Sequence, residues 1–149
     1  MKTQLRKTLS MMNVNITFLA NEEETAGQWS ALEYVAPPHF KGPAPHWHKR
    51  TTEAFYIVEG ELRFQIGEDV NEAKAGEFVV VPPGAVHAWS NPHAAPSKFL
   101  VLLSPAGLEK YFEELEVLMS EETVWPPADM TKVIALAEKF DTFSPATAE

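Results

Sequence analysis

The sequence predicts an all-β protein, a sandwich or barrel of short strands, followed by a tail of two helices. Between residues 12 and 103, short apolar runs with a period of two are separated by Gly, Pro and Asn. Helical periodicity begins only after residue 104. The 149 residues are a typical length for one domain. We therefore expect a single domain over residues 1–149, with the barrel at about 12–103 and the helical tail at about 104–143.

Seven strands are predicted in the barrel region. The first is the clearest, because Val14, Ile16 and Phe18 alternate with polar residues and would place one apolar face on a core. Glu59-Gly60 predicts a hairpin turn, since Gly accepts the positive φ that such turns require. The predicted strands cover residues 14–19, 30–35, 54–58, 61–66, 78–81, 86–89 and 98–103.

Two amphipathic helices are predicted in the tail. Ser104-Pro105 matches an N-cap followed by Pro at the first helical position, and an apolar stripe including Leu108 and Leu115 follows at helical spacing. Trp125-Pro126-Pro127 ends this helix, after which Asp129 can cap a second one. We expect both apolar stripes to pack against the outside of the sheet.

Composition excludes several classes of partner. The chain has 12 Lys and Arg against 21 Asp and Glu, a net charge of -9, so it would repel a nucleic-acid backbone. No apolar run is long enough to cross a bilayer, and polar residues interrupt the N-terminal apolar region that a secretory signal would need. We expect a cytoplasmic protein that binds neither nucleic acid nor membrane.

A metal site is predicted from two segments. His46 and His48 stand two residues apart, so in an extended segment both imidazoles face the same side. Glu53 lies at the start of a predicted strand, on the same face as the apolar residues Phe55 and Ile57. A carboxylate on such a face costs free energy unless a cation compensates its charge.

The fourth predicted ligand is His87. It follows a rigid Pro82-Pro83-Gly84 turn, which fixes where the next strand emerges. The chain has no cysteine, so a metal must use imidazole and oxygen ligands. Three nitrogens and one oxygen suit one divalent transition metal ion, Fe, Mn, Ni, Cu or Zn, and the sequence leaves its identity open.

Four protein ligands leave one or two positions on such an ion for water, substrate or dioxygen. The expected neighbours of the metal are Phe55, Ile57, Phe64 and Trp89. An apolar, aromatic cavity of this kind suits a flat, metal-chelating aromatic substrate. The three arginines are Arg6, Arg50 and Arg63, few for an enzyme that must hold a phosphate or carboxylate, although Arg50 lies between ligands and could still reach a substrate.

The two segments resemble the paired motifs of the cupin superfamily. The first is His46-x-His48 followed by Glu53 and Gly60, and the second begins at Gly76 and contains Pro82-x-Gly84, His87 and Asn91. One departure is Gly42, which stands three residues before His46 where the family pattern more often has five. The resemblance implies an antiparallel jelly-roll barrel with the metal inside.

Over nearly its full length the chain also resembles small bacterial cupins related to quercetin 2,3-dioxygenase. This resemblance implies oxidative cleavage of a flavonol-like enol by O2, with Glu53 both as metal ligand and as the general base. Two alternatives stay open: a non-catalytic cupin that binds or senses a small molecule, and another metal-dependent enzyme such as an isomerase or lyase. A homodimer is also expected, because a strand at residues 14–19 would form an exposed sheet edge.

Overall fold

The computed structural model describes residues 5–145 as nine strands and two helices. The strands are β1 Thr8–Met11, β2 Val14–Ala20, β3 Ser30–Ala36, β4 Thr52–Glu59, β5 Glu61–Ile66, β6 Asp69–Lys74, β7 Phe78–Val81, β8 His87–Ser90 and β9 Ser97–Ser104. The helices are α1 Lys110–Glu121 and α2 Thr131–Lys139.

The strands form two antiparallel sheets. The larger has the order β1-β2-β3-β9-β4-β7, and the smaller has the order β6-β5-β8. The predicted all-β fold with a two-helix C-terminal tail is confirmed. From β4 onward the chain passes several times between the two sheets, and side chains from both sheets face one interior.

Aromatic and aliphatic side chains from both sheets fill this interior. The ring of Phe55 on β4 lies 4.9 Å from that of Phe64 on β5, and Phe55, Ile57 and Leu62 are fully buried. Burial of each such side chain contributes roughly 1.5–3 kcal/mol. Outward-facing residues alternate with them, and Arg63 points outward, pairing with Glu72 at 3.2 Å.

All seven predicted strands are present, each within two residues of its predicted ends. β1 and β6 are not among the predicted strands. β1 is joined to β2 by Met12 and Asn13, both at positive φ, which suits a two-residue hairpin but lacks the glycine that usually signals one. Four of the six residues of β6 are polar and only Ala73 is buried, so the strand shows no apolar alternation.

The predicted hairpin at Glu59-Gly60 is wrong. β4 and β5 lie in different sheets and do not pair, so Gly60 is the corner at which the chain passes from one sheet to the other. It has a φ of +79°, and a Cβ at this position would lie 2.7 Å from the carbonyl oxygen of Pro96. Glycine is therefore required here by close approach as well as by conformation.

The first helix begins six residues after the predicted N-cap. Ser104 instead ends β9, where it pairs with Thr52 and its hydroxyl donates a hydrogen bond to the carbonyl of Gln28 at 2.9 Å. Strand pairing thus overrides the local capping signal. The Asp129 carboxylate does accept the N–H of Thr131, the first residue of α2, at 3.0 Å.

The tail does not cover the outside of the sheet as expected. Phe112 on α1 meets the ring of Tyr34 edge to face at 5.8 Å, and Tyr34 belongs to the core-facing side of β3, where it stacks on Phe99. Lys139 on α2 pairs with Glu114 on α1 at 2.9 Å. The helices therefore extend the interior.

The homodimer was predicted because residues 14–19 were expected to form an exposed sheet edge. They do not form one, because β1 pairs with β2 and covers it. Exposed apolar side chains instead gather on the outer face of β4, β7 and β9. They are Tyr56, Val58, Phe78, Val80 and Leu102. The homodimer stays a prediction.

Within residues 5–145, neither helix has the length and apolar character needed to cross a bilayer.

Replacing the corner glycine tests the crossover. Gly60→Ala should lower the free energy of unfolding by about 2–4 kcal/mol, because it adds a steric clash to the strain of positive φ. Gly67→Ala is the matched control, since Gly67 has a φ of +60° but no neighbour within 4 Å. It should cost about 1 kcal/mol. Equal losses in urea titrations of the two variants would contradict the packing of Gly60.

Candidate metal centre

Four side chains converge at one place in the barrel, and they are the four donors predicted from the sequence. Ligand atoms of His46, His48, Glu53 and His87 all lie within 4.8 Å of one another. Glu53 comes from β4 and His87 from the start of β8, while the other two lie on the segment that precedes β4. The site is therefore assembled from both sheets.

Main-chain hydrogen bonds hold the ligand segments together. The N–H of His46 donates to the carbonyl of His87 at 3.0 Å, and the N–H of His87 donates back at 2.8 Å. The N–H of Gly84 donates to the carbonyl of His48 at 2.7 Å, which ties the Pro82-Pro83-Gly84 turn to the same segment. These hydrogen bonds thus fix the relative positions of the main-chain segments that carry the three histidines.

Each imidazole has its Nδ1 next to a main-chain carbonyl. The pairs are His46 with Ala44 at 2.8 Å, His87 with Ala85 at 2.9 Å and His48 with Asp141 at 3.0 Å. A carbonyl only accepts, so in these contacts Nδ1 carries the hydrogen and donates. In the neutral imidazole this leaves Nε2 with a free lone pair, the tautomer that a metal requires.

The Glu53 carboxylate lies between two of these Nε2 atoms. Its Oε2 is 3.1 Å from Nε2 of His48 and 2.9 Å from Nε2 of His87, and the residue is only 8% exposed. With neutral rings, two lone pairs would face a carboxylate oxygen, which is repulsive unless a proton or a cation lies between them. This donor set fits a divalent metal ion, which would take the place of that proton.

The pKa values follow from this geometry. Burial by itself would raise the pKa of Glu53, but hydrogen bonds from His48 and His87 outweigh it and lower the pKa to about 2. Burial opposes protonation of His48, yet the same carboxylate raises its pKa overall. Burial, aided by the charge of His87, lowers the pKa of His46 to about 4. Near neutral pH, His46 is therefore uncharged and Glu53 ionised, as metal ligands must be.

A cavity of about 400 Å³ opens onto the donor set. It is bounded by β1, β2 and β3 on one side and by both helices on the other, and His46, His48 and Glu53 form part of its wall. The rest of the wall is largely apolar, with Val14, Ile16, Phe40, Trp89, Leu115 and Ala137 among its residues. No Lys or Arg side chain from residues 5–145 lines it.

Of the four predicted pocket residues, the structure places only Trp89 on the cavity wall. Phe55, Ile57 and Phe64 do not line it, which corrects the expectation for these three. Phe55 and Ile57 are fully buried in the core, and Phe64 borders a separate cavity of about 310 Å³ between β5, β6 and β7. The cavity lies beside β1 and under the helical tail, and no local sequence pattern predicts that these two parts of the chain meet.

Outside the donor set, the polar residues of the wall are Glu138, Thr142, Ser144 and two tyrosines. Tyr34 and Tyr111 both line the cavity. Burial, together with the nearby charge of Glu53, raises the pKa of Tyr34, and burial raises that of Tyr111. Both phenols therefore keep their protons and can donate hydrogen bonds to oxygen atoms of a bound molecule.

Comparisons with known proteins agree with this fold. Residues 32–103 match the family described as "Cupin domain". The chain is 30% identical over 100 residues to germin-like protein subfamily 2 member 2 of Arabidopsis thaliana, a match that covers 64% of this chain and 45% of that protein. The chain thus spans less than half the length of this relative.

Two solved structures are also similar. A predicted oxalate decarboxylase from Thermotoga maritima matches with a TM-score of 0.60 and 22% identity, covering 67% of this chain and 91% of that one. KdgF from Halomonas sp. matches with a TM-score of 0.61 and 16% identity, covering 70% and 90%. At this identity the structures show the cupin fold alone, and the resemblance to quercetin 2,3-dioxygenase stays a proposal.

The shifted pKa of His46 predicts how the metal-free protein responds to acid. Between pH 6.5 and 4, unfolded His46 takes up a proton that the folded residue does not, so the free energy of unfolding falls as pH falls. His46→Gln, measured with a chelator present, should therefore lose less stability across this window than the unmodified chain. His39→Gln, at an exposed histidine, is the control, and its free energy of unfolding should change with pH as that of the unmodified chain does. The same pH dependence of the free energy of unfolding in all three proteins would refute the burial of a neutral His46.

Proposed function

We propose that this chain, which has the cupin fold and carries a cupin domain at residues 32–103, is a metal-dependent dioxygenase acting on a flavonol-like or other enol-containing aromatic substrate. The observation that supports it is the pairing of a three-histidine, one-carboxylate donor set with a largely apolar cavity, on whose wall residues 5–145 place no Lys or Arg.

The donor set is accessible from the cavity. His46, His48 and Glu53 line the cavity while His87 closes the opposite side at 2% exposure. A closed structural metal site would instead be surrounded by protein on every side. A ligand in the cavity can therefore approach the ligand atoms directly, as a chelating substrate must.

The wall chemistry argues against small acids and phosphates as substrates. Such anions need a cation, most often an arginine with its paired N–H groups. Arg6 pairs with Glu24 and Arg63 with Glu72, and both pairs lie on the surface. Arg50, which the sequence left as a possible substrate contact, is exposed and does not line the cavity. A flat molecule with few charges matches the wall better.

Each part of the cavity has a role in the proposed reaction. A divalent ion held by the four donors would supply Lewis acidity that makes an enolic hydroxyl more acidic. Glu53, ionised and facing the cavity, accepts the hydroxyl proton. The phenol of Tyr34 can donate a hydrogen bond to a substrate oxygen. Helices α1 and α2 cover the apolar rings and exclude water.

Loss of the hydroxyl proton leaves an enolate, whose electron-rich carbon–carbon double bond is the part of the substrate that dioxygen oxidises. Dioxygen is the oxidant, and both of its oxygen atoms enter the cleaved product. For a flavonol, the two ring bonds to the carbon that bears the enolate oxygen break and that carbon leaves as carbon monoxide. The electrons of these bonds reduce dioxygen, so no external reductant is needed, and the proton held by the base returns to the product. The cavity needs only to bind, deprotonate and shield the substrate.

Quercetin in air and under nitrogen separates this proposal from its alternatives. Metal-loaded protein should bleach the flavonol absorbance in air and leave it intact without oxygen. A spectral shift that is equal in both atmospheres would identify a non-catalytic binding protein. An unchanged spectrum in both would favour another metal-dependent enzyme, such as an isomerase or lyase, and would contradict the proposed substrate class.

Replacing the carboxylate tests its role as the base. Glu53→Gln should reduce turnover by about 10²–10⁴-fold at saturating metal, because an amide cannot accept the hydroxyl proton. Glu61→Gln, at a half-exposed carboxylate outside the cavity, is the control and should retain full turnover. Undiminished turnover by the metal-loaded Glu53 variant would exclude the base role.

Filling the cavity from α2 tests the binding mode. Ala137 lines the cavity, whereas Ala135 on the same helix is exposed. Ala137→Trp should lower kcat/KM for a flavonol by roughly tenfold or more through lost space, while metal content stays unchanged. Ala135→Trp should match the original chain in both measurements. Equal kinetics for the two variants would place the substrate elsewhere.

A further inference from the structure

We propose that the segment Asp141, Thr142 and Phe143, which follows α2, is a strap that positions the metal ligands, with the Asp141 carboxylate as its anchor. The inference rests on the metal site of the proposed function but not on the proposed reaction. It gives the helical tail a second task besides covering the cavity: the tail sets the geometry and affinity of the donor set.

The anchor is a carboxylate held by the loop between two ligands. Oδ1 of Asp141 accepts the N–H of Lys49 at 3.0 Å, and Oδ2 accepts the N–H groups of Arg50 and Thr51, each at 2.9 Å. Oδ2 also accepts the hydroxyl of Thr51 at 2.8 Å. Three consecutive N–H groups converging on one carboxylate form an anion-binding loop. This loop joins His48 directly to the strand that carries Glu53.

The same residue also orients an imidazole. The carbonyl of Asp141 accepts the Nδ1 hydrogen of His48 at 3.0 Å, and the Thr142 hydroxyl lies 3.3 Å from the same nitrogen. His46 and His87 each use a carbonyl two residues before them in the chain. His48 is thus the ligand whose orientation depends on a residue 93 positions away.

A main-chain bridge completes the strap. The N–H of Trp47 donates to the carbonyl of Phe143 at 2.9 Å, the N–H of Phe143 donates back at 2.9 Å, and the two rings lie 4.9 Å apart. The segment that carries His46 and His48 is therefore bonded to β8 on one side and to the strap on the other. Ligand orientation by such outer contacts typically changes metal affinity by about 10–100-fold.

Linkage makes the effect reciprocal. If an ordered strap raises metal affinity, bound metal must stabilise the ordered strap by the same free energy. Thr142 and Phe143 also line the cavity, so the state of the strap governs both the metal and the cavity wall. The strap is therefore the point through which the helical tail and the metal centre influence each other.

Asp141→Asn tests the anchor with minimal change of shape. Asp141 has a φ of +57°, and Asn tolerates this conformation as well as Asp does, so the substitution mainly removes charge and acceptor capacity. We expect the affinity for Zn²⁺, measured by competition with a chromogenic chelator, to fall by roughly tenfold to a hundredfold. Asp129→Asn is the matched control, because Asp129 also accepts two hydrogen bonds in the tail but lies away from the ligands.

The control should bind Zn²⁺ as the unmodified chain does, whatever its stability. An Asp141 variant with unchanged Zn²⁺ affinity overturns the strap, and a control that loses affinity equally reduces the effect to general destabilisation of the tail and also overturns it. Absence of Zn²⁺ binding in the unmodified chain would instead refute the metal site itself, and the strap with it.

Hydrogen exchange on the unmodified chain gives a test that does not depend on a variant folding. Adding Zn²⁺ should slow amide exchange at Arg50, Thr51 and Phe143, whose N–H groups all donate within the strap contacts. The N–H of Phe18, which donates to the carbonyl of Lys7 between β1 and β2, is the internal reference and should not change. Protection confined to the ligand residues, with none at the strap amides, would show that the two are not coupled.

Discussion

A buried carboxylate held between imidazoles is the constraint on which the rest of this structure depends. Glu53 keeps its charge inside the barrel because His48 and His87 lie at hydrogen-bonding distance. An ionised carboxylate without such partners would be strongly destabilising at this depth. The paired main chains of His46 and His87, and the Asp141 contacts on the other side, hold the imidazoles in place. The barrel thus favours a cation at one defined point.

Away from the donor set, the cavity wall is mostly apolar. It carries mainly apolar side chains from β1, β2 and both helices, together with two neutral phenols, Glu138, Thr142 and Ser144, and it has no Lys or Arg from the described part of the chain. The substrate class proposed above, a flat apolar molecule with oxygen atoms that chelate a metal, is chosen to match both parts of the cavity. The function proposed above follows from this contrast. The cupin fold alone supports many chemistries and does not choose among them.

The sequence predicted the local features well and the tertiary ones incompletely. Alternation located all seven predicted strands, and the spacing of His46, His48, Glu53 and His87 predicted the donor set, because both depend on side-chain direction along a strand. The cavity wall could not be predicted in the same way. It forms where the helical tail meets β1, and neither that packing nor the position of the Asp141 anchor has a short-range signature. Gly60 shows the same limit, since a tight hairpin and a crossover between sheets both require glycine there.

Binding of one divalent transition metal ion by the four donors underlies both proposals. Its most direct test is elemental analysis by mass spectrometry of the purified chain, before and after reconstitution with Fe, Mn, Ni, Cu or Zn, alongside a chain in which His48 and His87 are both replaced by Ala. We expect close to one ion for each unmodified chain and loss of that ion in the double variant. Absence of stoichiometric metal after reconstitution, or equal metal in both chains, would contradict it.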